Sequence, residues 1–122
     1  MLVLDTNIVI YYLQGLEDIS NWVEHHLAKG QRFAISAMSL VELLSYPSIS
    51  PEEIFHIEQW VRAVCVVDVD PDIARCAALL RRRRRLTTTD AVIGATALAL
   101  GVPLVTRDVR LSKIGHVKVI VP

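Results

Sequence analysis

MLVLDTN, residues 1–7, is the stretch whose reading decides the fold. Four apolar residues run straight into Asp5. A strand facing water on one side would alternate apolar and polar residues, whereas a continuous apolar run fits a strand buried on both faces, as in a parallel sheet. Asp5 then stands where that strand leaves the core, a place with many uncharged ways to turn.

Similar runs recur along the chain. RFAIS (32–36), CVVDV (65–69), PLVT (103–106) and VKVIV (117–121) read as further strands beside MLVL (1–4). Helical patterns separate them. SNWVEHHLAKG closes on Gly30. SPEEIFHIEQWVRAV opens with Ser50, Pro51 and Glu53, a capping box with proline at the first helical position. DPDIARCAALLRRRRR opens on Asp70-Pro71, and DAVIGATALALG ends at Gly101. Alternating buried strands and helices predict a three-layer α/β/α fold with a central parallel sheet. One domain spanning residues 1–122 is expected, with no repeat or linker. The order of the strands is left open.

Composition narrows the class. No basic segment precedes the apolar start, so no signal peptide is expected. The longest uncharged stretch, residues 91–106, is shorter than the ~20 apolar residues a membrane span needs and is broken by Gly101 and Pro103. Cys65 and Cys76 form no metal-binding pattern and read as small, reduced core residues of a cytoplasmic chain. The formal net charge of zero conceals a split. Residues 1–72 hold three basic against eleven acidic residues, a net −8, and residues 73–122 hold ten against two, a net +8. Such a split points to an anionic partner meeting a localised basic face.

In open parallel sheets, ligands sit beyond the carboxyl ends of the strands. Asp5 follows MLVL directly and Asp108 lies two residues past LVT. Glu42 falls about one turn into the helix after FAIS, and Asp90 heads the helix before PLVT. Each acid has a simpler reading. Ser39 and Glu42 fit a capping box, Asp90 fits a first-turn acid, Asp108 fits a cap on DVRLSKI and Asp5 fits the start of a turn. Sharing one crevice, the four would repel one another unless a cation neutralised them. A hard divalent ion such as Mg²⁺ or Mn²⁺ takes oxygen ligands in this way. The basic residue nearest to them in sequence is Arg107.

Together, DTN at Asp5, SAMSLVEL through Glu42, TDAVIGATAL from Asp90 and LVTRD ending at Asp108 resemble the PIN-domain family, and within it the VapC-type toxins of toxin–antitoxin pairs. The resemblance extends to the closing VKVIVP. It implies a Mg²⁺- or Mn²⁺-dependent endoribonuclease whose acidic site is Asp5, Glu42, Asp90 and Asp108, with Asn7 and Thr106 as supporting polar residues. It also implies an RNA substrate, a homodimer and an antitoxin that blocks the crevice. Asp5 and Asp90 are expected as direct ligands. Glu42 and Asp108 are expected to bind the ion directly, through water, or to orient the attacking water. Where the family commonly has a proline or small turn before the third acid, this chain has RRRRRLTTT, with Thr89 expected to cap the helix.

Arg81, Arg82, Arg83, Arg84 and Arg85 admit two readings. They are a solvated helix end complementing the C-terminal dipole, or a clamp steering RNA phosphates toward the acids. DVDPD (68–72) fails as a calcium loop and reads as a helix cap. The histidines form no metal or triad spacing, and Trp22, Trp60, Tyr11 and Tyr12 read as packing residues. Apolar excess around Ile10, Leu13, Ile54 and Phe55 suggests a partner-covered surface. Two other functions compete with the nuclease. One is a catalytically silent PIN-like module binding RNA or protein. The other is a phosphotransfer domain using Asp68 or Asp70 with Thr106.

Overall fold

A computed structural model describes residues 1–122. The chain runs β1 (Leu2–Leu4), α1 (Thr6–Leu13), α2 (Glu17–Ala28), β2 (Phe33–Ser36), α3 (Ala37–Leu44), α4 (Pro51–Val61), β3 (Cys65–Val67), α5 (Pro71–Arg83), α6 (Thr88–Leu100), β4 (Leu104–Val105), α7 (Val109–Ser112) and β5 (Val119–Ile120). All five strands pair in parallel in the order β3-β2-β1-β4-β5. Strands lie where the apolar runs predict, trimmed by one to three residues at their ends. No helix is long and apolar enough to cross a membrane.

Strand periodicity splits the sheet into two faces. Val3, Ala34 and Leu104 face one core, with Ile73 and Ala77 of α5, Ala91, Val92, Ile93, Ala95 and Ala97 of α6, Leu111 of α7 and Ile114. Their neighbours Leu2, Leu4, Phe33, Ile35 and Val105 face the other, with Ile8 and Val9 of α1, Ile19 and Val23 of α2 and Leu43 of α3. Two helical layers therefore sandwich the sheet, which is the three-layer arrangement expected.

The small residues of α6 explain its depth. Residues 91 to 97 of α6 are all buried. A Cβ added at Gly94 would lie 2.7 Å from Ile114 Cδ1 and 3.5 Å from Leu80 Cδ1, so the missing side chain lets α5 and the 114 segment close on the helix. Leu80 opposite Gly94, across a turn at residues 84–87, makes α5 and α6 an antiparallel hairpin. The end of α5 therefore lies beside the start of α6.

Several local expectations change. Thr87, not Thr89, caps α6, its hydroxyl accepting from the Asp90 amide at 3.1 Å. The helix before it stops at Arg83, and Arg84 is already extended, so Arg84 and Arg85 belong to the turn. Cys65 is exposed on the edge strand β3 and Cys76 is half-buried, so neither is a full core residue. Helix α2 begins at Glu17, a turn earlier than SNWVEHH implies, with Glu17 and Asp18 in its first turn. The Ser50–Glu53 capping box and the Asp70 cap form as expected.

Ser36, at the end of β2, caps α3 by accepting from Met38 N. The Ser39–Glu42 capping box therefore does not form. Instead the buried hydroxyls of Ser39 and Thr6 share a 2.8 Å hydrogen bond that ties α3 to α1 beside Asp5. No buried side-chain polar atom in the protein lacks a partner. Replacing Ser39 with Ala would orphan the Thr6 hydroxyl, and urea unfolding should read a loss of about 1–3 kcal/mol. An unchanged midpoint would mean that Thr6 finds another partner.

Candidate active site

The strand order reverses at β1, since β2 and β3 extend to one side and β4 and β5 to the other. Ligand crevices form at such switch points, beyond the carboxyl ends of the two central strands. Asp5 leaves β1 and Thr106 leaves β4 at this place, the two strands being joined by a 3.0 Å bond from Asp5 N to the Val105 carbonyl.

Asp5 occupies the N-cap position of α1, yet its side chain makes no capping bond. Its Oδ2 accepts the Thr106 hydroxyl at 2.7 Å, and Thr106 Oγ1 in turn accepts from the Asp108 amide at 2.9 Å. An ionised carboxylate can only accept, so between Asp5 and Thr106 the proton is the hydroxyl's, and the Thr106 oxygen keeps a lone pair for the Asp108 amide. Thr106 is completely buried and Asp5 is 4% exposed. Burial is the main reason that the Asp5 carboxyl rises from 3.8 to about 6. The charges of Asp90 and Asp108 push it further up, while the Thr106 hydroxyl and Thr6 amide pull it back.

Asp90 enters from the first turn of α6, where its amide donates to Thr87. Asp108 caps α7, its Oδ1 accepting from the Arg110 amide at 2.9 Å. Arg110 is the basic residue of the cluster. Its Nη2 lies 2.8 Å from Asp108 Oδ2 and 3.6 Å from Asp90 Oδ2, and its Nε donates to Asp108 Oδ1 at 3.2 Å. The hydrogen bonds from Arg110 hold the Asp108 carboxyl below its ordinary value. Arg107, the nearest in sequence, turns away to Asp18 and to the Pro122 carbonyl. A chain pattern cannot tell which of two arginines folds back on an acid; only the short α7 brings Arg110 round to Asp108.

Three of the four acids thus meet. Glu42 lies one helical turn beyond Ser39, on the same side of the sheet end, but it is exposed and has no direct bond to the other three. It lines a groove of about 370 Å³ between α1, α3 and α4, formed with Ile10, Leu13, Tyr46, Ile49 and Ile57. Asn7 is exposed in the first turn of α1, two positions from Asp5. Arg81 to Arg85 are all exposed at the hairpin turn that leads into α6. Arg81 Nε donates to the Leu86 carbonyl, while Arg82, Arg84 and Arg85 line an open hollow. Asp70 spends its carboxylate on the Ile73 amide and Thr106 donates to Asp5, which occupies two of the three residues of the phosphotransfer reading and leaves only the exposed Asp68.

A PIN domain family model matches residues 2–117. The chain belongs to the PIN domain family. A curated relative, the ribonuclease VapC19 of Mycobacterium tuberculosis, is 30% identical over 115 residues, covering 90% of each protein. Among solved structures, VapBC2 from Rickettsia felis, bound to a DNA fragment from its promoter, superposes with a TM-score of 0.83 at 22% identity, over 98% of this chain and 96% of that one. A toxin–antitoxin complex from Klebsiella pneumoniae gives 0.83 at 24%, over 99% and 97%. These two likenesses speak for the PIN fold, and the residues above speak for its site.

The donor set of this PIN chain is hard oxygen throughout: three carboxylates and a hydroxyl. That chemistry fits a hard divalent ion, and the raised Asp5 carboxyl marks a charge whose burial its neighbours only partly offset. The acids do not stand in a ready three-ligand cage; the Arg110 guanidinium stands among them. Asp5→Asn should therefore stabilise the protein in EDTA at pH 7.5, by up to about 3 kcal/mol. The folded state holds the Asp5 proton more tightly than the unfolded chain, so the wild type loses stability as pH rises from about 4 through about 6. The advantage of the variant should fade over the same range as pH falls. An equal advantage at pH 4 and pH 7.5 in thermal melts would contradict this origin.

Proposed function

We propose that the protein is a divalent-metal-dependent endoribonuclease, the toxin of a type II toxin–antitoxin pair. The observation that carries this reading is the cluster at the switch point of the sheet, where Asp5 and Asp108 both bond the buried Thr106 and Arg110 bridges Asp108 to Asp90. Family membership and the ribonuclease VapC19 relative support it.

Asp5 and Asp90 would hold Mg²⁺ or Mn²⁺, with Asp108 and Glu42 as direct or water-mediated ligands. Such an ion lowers the pKa of water and neutralises charge on a phosphodiester under attack. The chain's own part is to place and charge the oxygens. Thr106 fixes the Asp5 carboxylate by donating to one oxygen, while its own oxygen accepts from the Asp108 amide and so links the two acids. Asn7 and Glu42 would orient water at the approach to the site. No side-chain nucleophile is required.

Arg82, Arg84 and Arg85 would contact RNA phosphates beside the site. Arg82 lies in the last turn of α5, and Arg84 and Arg85 lie in the turn that leads into the helix start carrying Asp90. The groove near Glu42, with Tyr46 and Phe55 largely exposed at or near it, would take an apolar segment of an antitoxin. The solved neighbour from Klebsiella pneumoniae is a toxin–antitoxin complex, which favours that occupant. A homodimer in the cytoplasm completes the proposal.

Purified protein should cleave RNA with Mg²⁺ or Mn²⁺ and not with EDTA, and Asp90→Asn should lower the rate at least about a hundredfold. RNA binding without cleavage in any metal would favour the silent module instead. Replacing Arg82 and Arg85 with Gln should leave the melting temperature unchanged. It should also flatten the dependence of log affinity on log salt by about 1.4, or ~0.7 per lost phosphate contact on single strands. An unchanged slope would leave the arginines as a solvated helix end.

A further inference from the structure

We propose that Arg110 is a resident counter-cation of the acidic site, which holds the place between Asp90 and Asp108 and exchanges with the divalent ion. This rests on the metal-dependent reading above and adds a competitor to it.

One nitrogen, Nη2, faces a carboxylate oxygen of each acid, Asp108 Oδ2 at 2.8 Å and Asp90 Oδ2 at 3.6 Å. An ion ligated by both oxygens would lie in the space that this nitrogen fills, because Mg²⁺–oxygen bonds are only about 2.0–2.1 Å long. The two cations are therefore alternatives. The side chain is built to leave. It is 60% exposed, so it can swing into water without burying a charge, and ion pairs at such exposure are weak. Its departure does not release Asp108. The Arg110 backbone amide still donates to Asp108 Oδ1, and the Asp108 amide still donates to Thr106. What the swing frees is Asp108 Oδ2, the oxygen that only the guanidinium engages.

Asp90 and Asp108 are thereby held together before the ion arrives, at the cost of competition once it does. A residue that merely props up α7 would stabilise the protein equally with and without metal. A competitor would not.

The test is Mn²⁺ binding at pH 7.5, measured by calorimetry and by the resonance of free Mn²⁺, for wild type, Arg110→Met, Arg110→Lys and Asp90→Asn. Arg110→Met should bind Mn²⁺ about fivefold more tightly, the scale of one exposed ion pair. Arg110→Lys, which keeps the charge and loses the fork, should fall between. In EDTA, Arg110→Met should melt below wild type, and saturating Mn²⁺ should raise its melting temperature more than that of wild type. If Arg110→Met does not fold, Arg110→Lys must still bind more tightly than wild type. Equal or weaker Mn²⁺ affinity in the Arg110 variants overturns the proposal while leaving the metal site standing. No Mn²⁺ binding by wild type, or binding that Asp90→Asn leaves intact, removes the metal reading and this proposal with it.

Discussion

A carboxylate buried at the end of a central strand, with two more carboxylates beside it, is costly to charge, and the surrounding structure is arranged around that cost. Asp5 could have been accommodated as a helix cap, where amides would have accepted it cheaply. Its side chain makes no such bond and turns instead to a hydroxyl on the neighbouring strand. The Thr106 hydroxyl and the Thr6 amide offset only part of the penalty, so the group keeps an appetite for positive charge. Natural proteins commonly tolerate such a local loss of stability where function requires it.

Position follows from the sheet. β1 lies at the centre, covered by helices on both faces, and its side chains alternate between two cores. A slip of one residue would exchange the faces of Leu2, Val3 and Leu4 and turn Asp5 away from β4. Packing of the strand therefore aims the carboxylate as firmly as the hydrogen bond does. On the far side, the absence of a side chain at Gly94 draws α6 in close to its neighbours, and α6 carries Asp90 with it.

Much of this was legible in the chain. Doubly buried parallel strands have no polar face to confuse their pattern, so MLVL and FAIS announce themselves, as do helices opened by Ser50-Pro51 and Asp70-Pro71. Asp5, Asp90 and Asp108 could be assigned to one end of the sheet because each flanks a strand or leads into one. What escaped depends on contacts between elements. Nothing local distinguishes Arg110 from Arg107, or reveals that Ser39 bonds Thr6 thirty-three positions away rather than capping its own helix. The arginine run looked like one continuous helix since arginine is a good helix former, but the turn before Thr87 takes its last two members. Cys65 looked like core because β3 is apolar; an edge strand leaves it open. Glu42 stands between these cases, on the side expected and yet turned toward the groove.

The bond from Thr106 to Asp5 spans 101 positions. During translation, β1 emerges early and can pair with β2, but β4 is among the last elements to be made. Until then Asp5 has neither the Thr106 hydroxyl nor Asp108 beside it. A ribosome-bound fragment ending anywhere before residue 106 thus lacks the assembled pocket, however well its first half has folded.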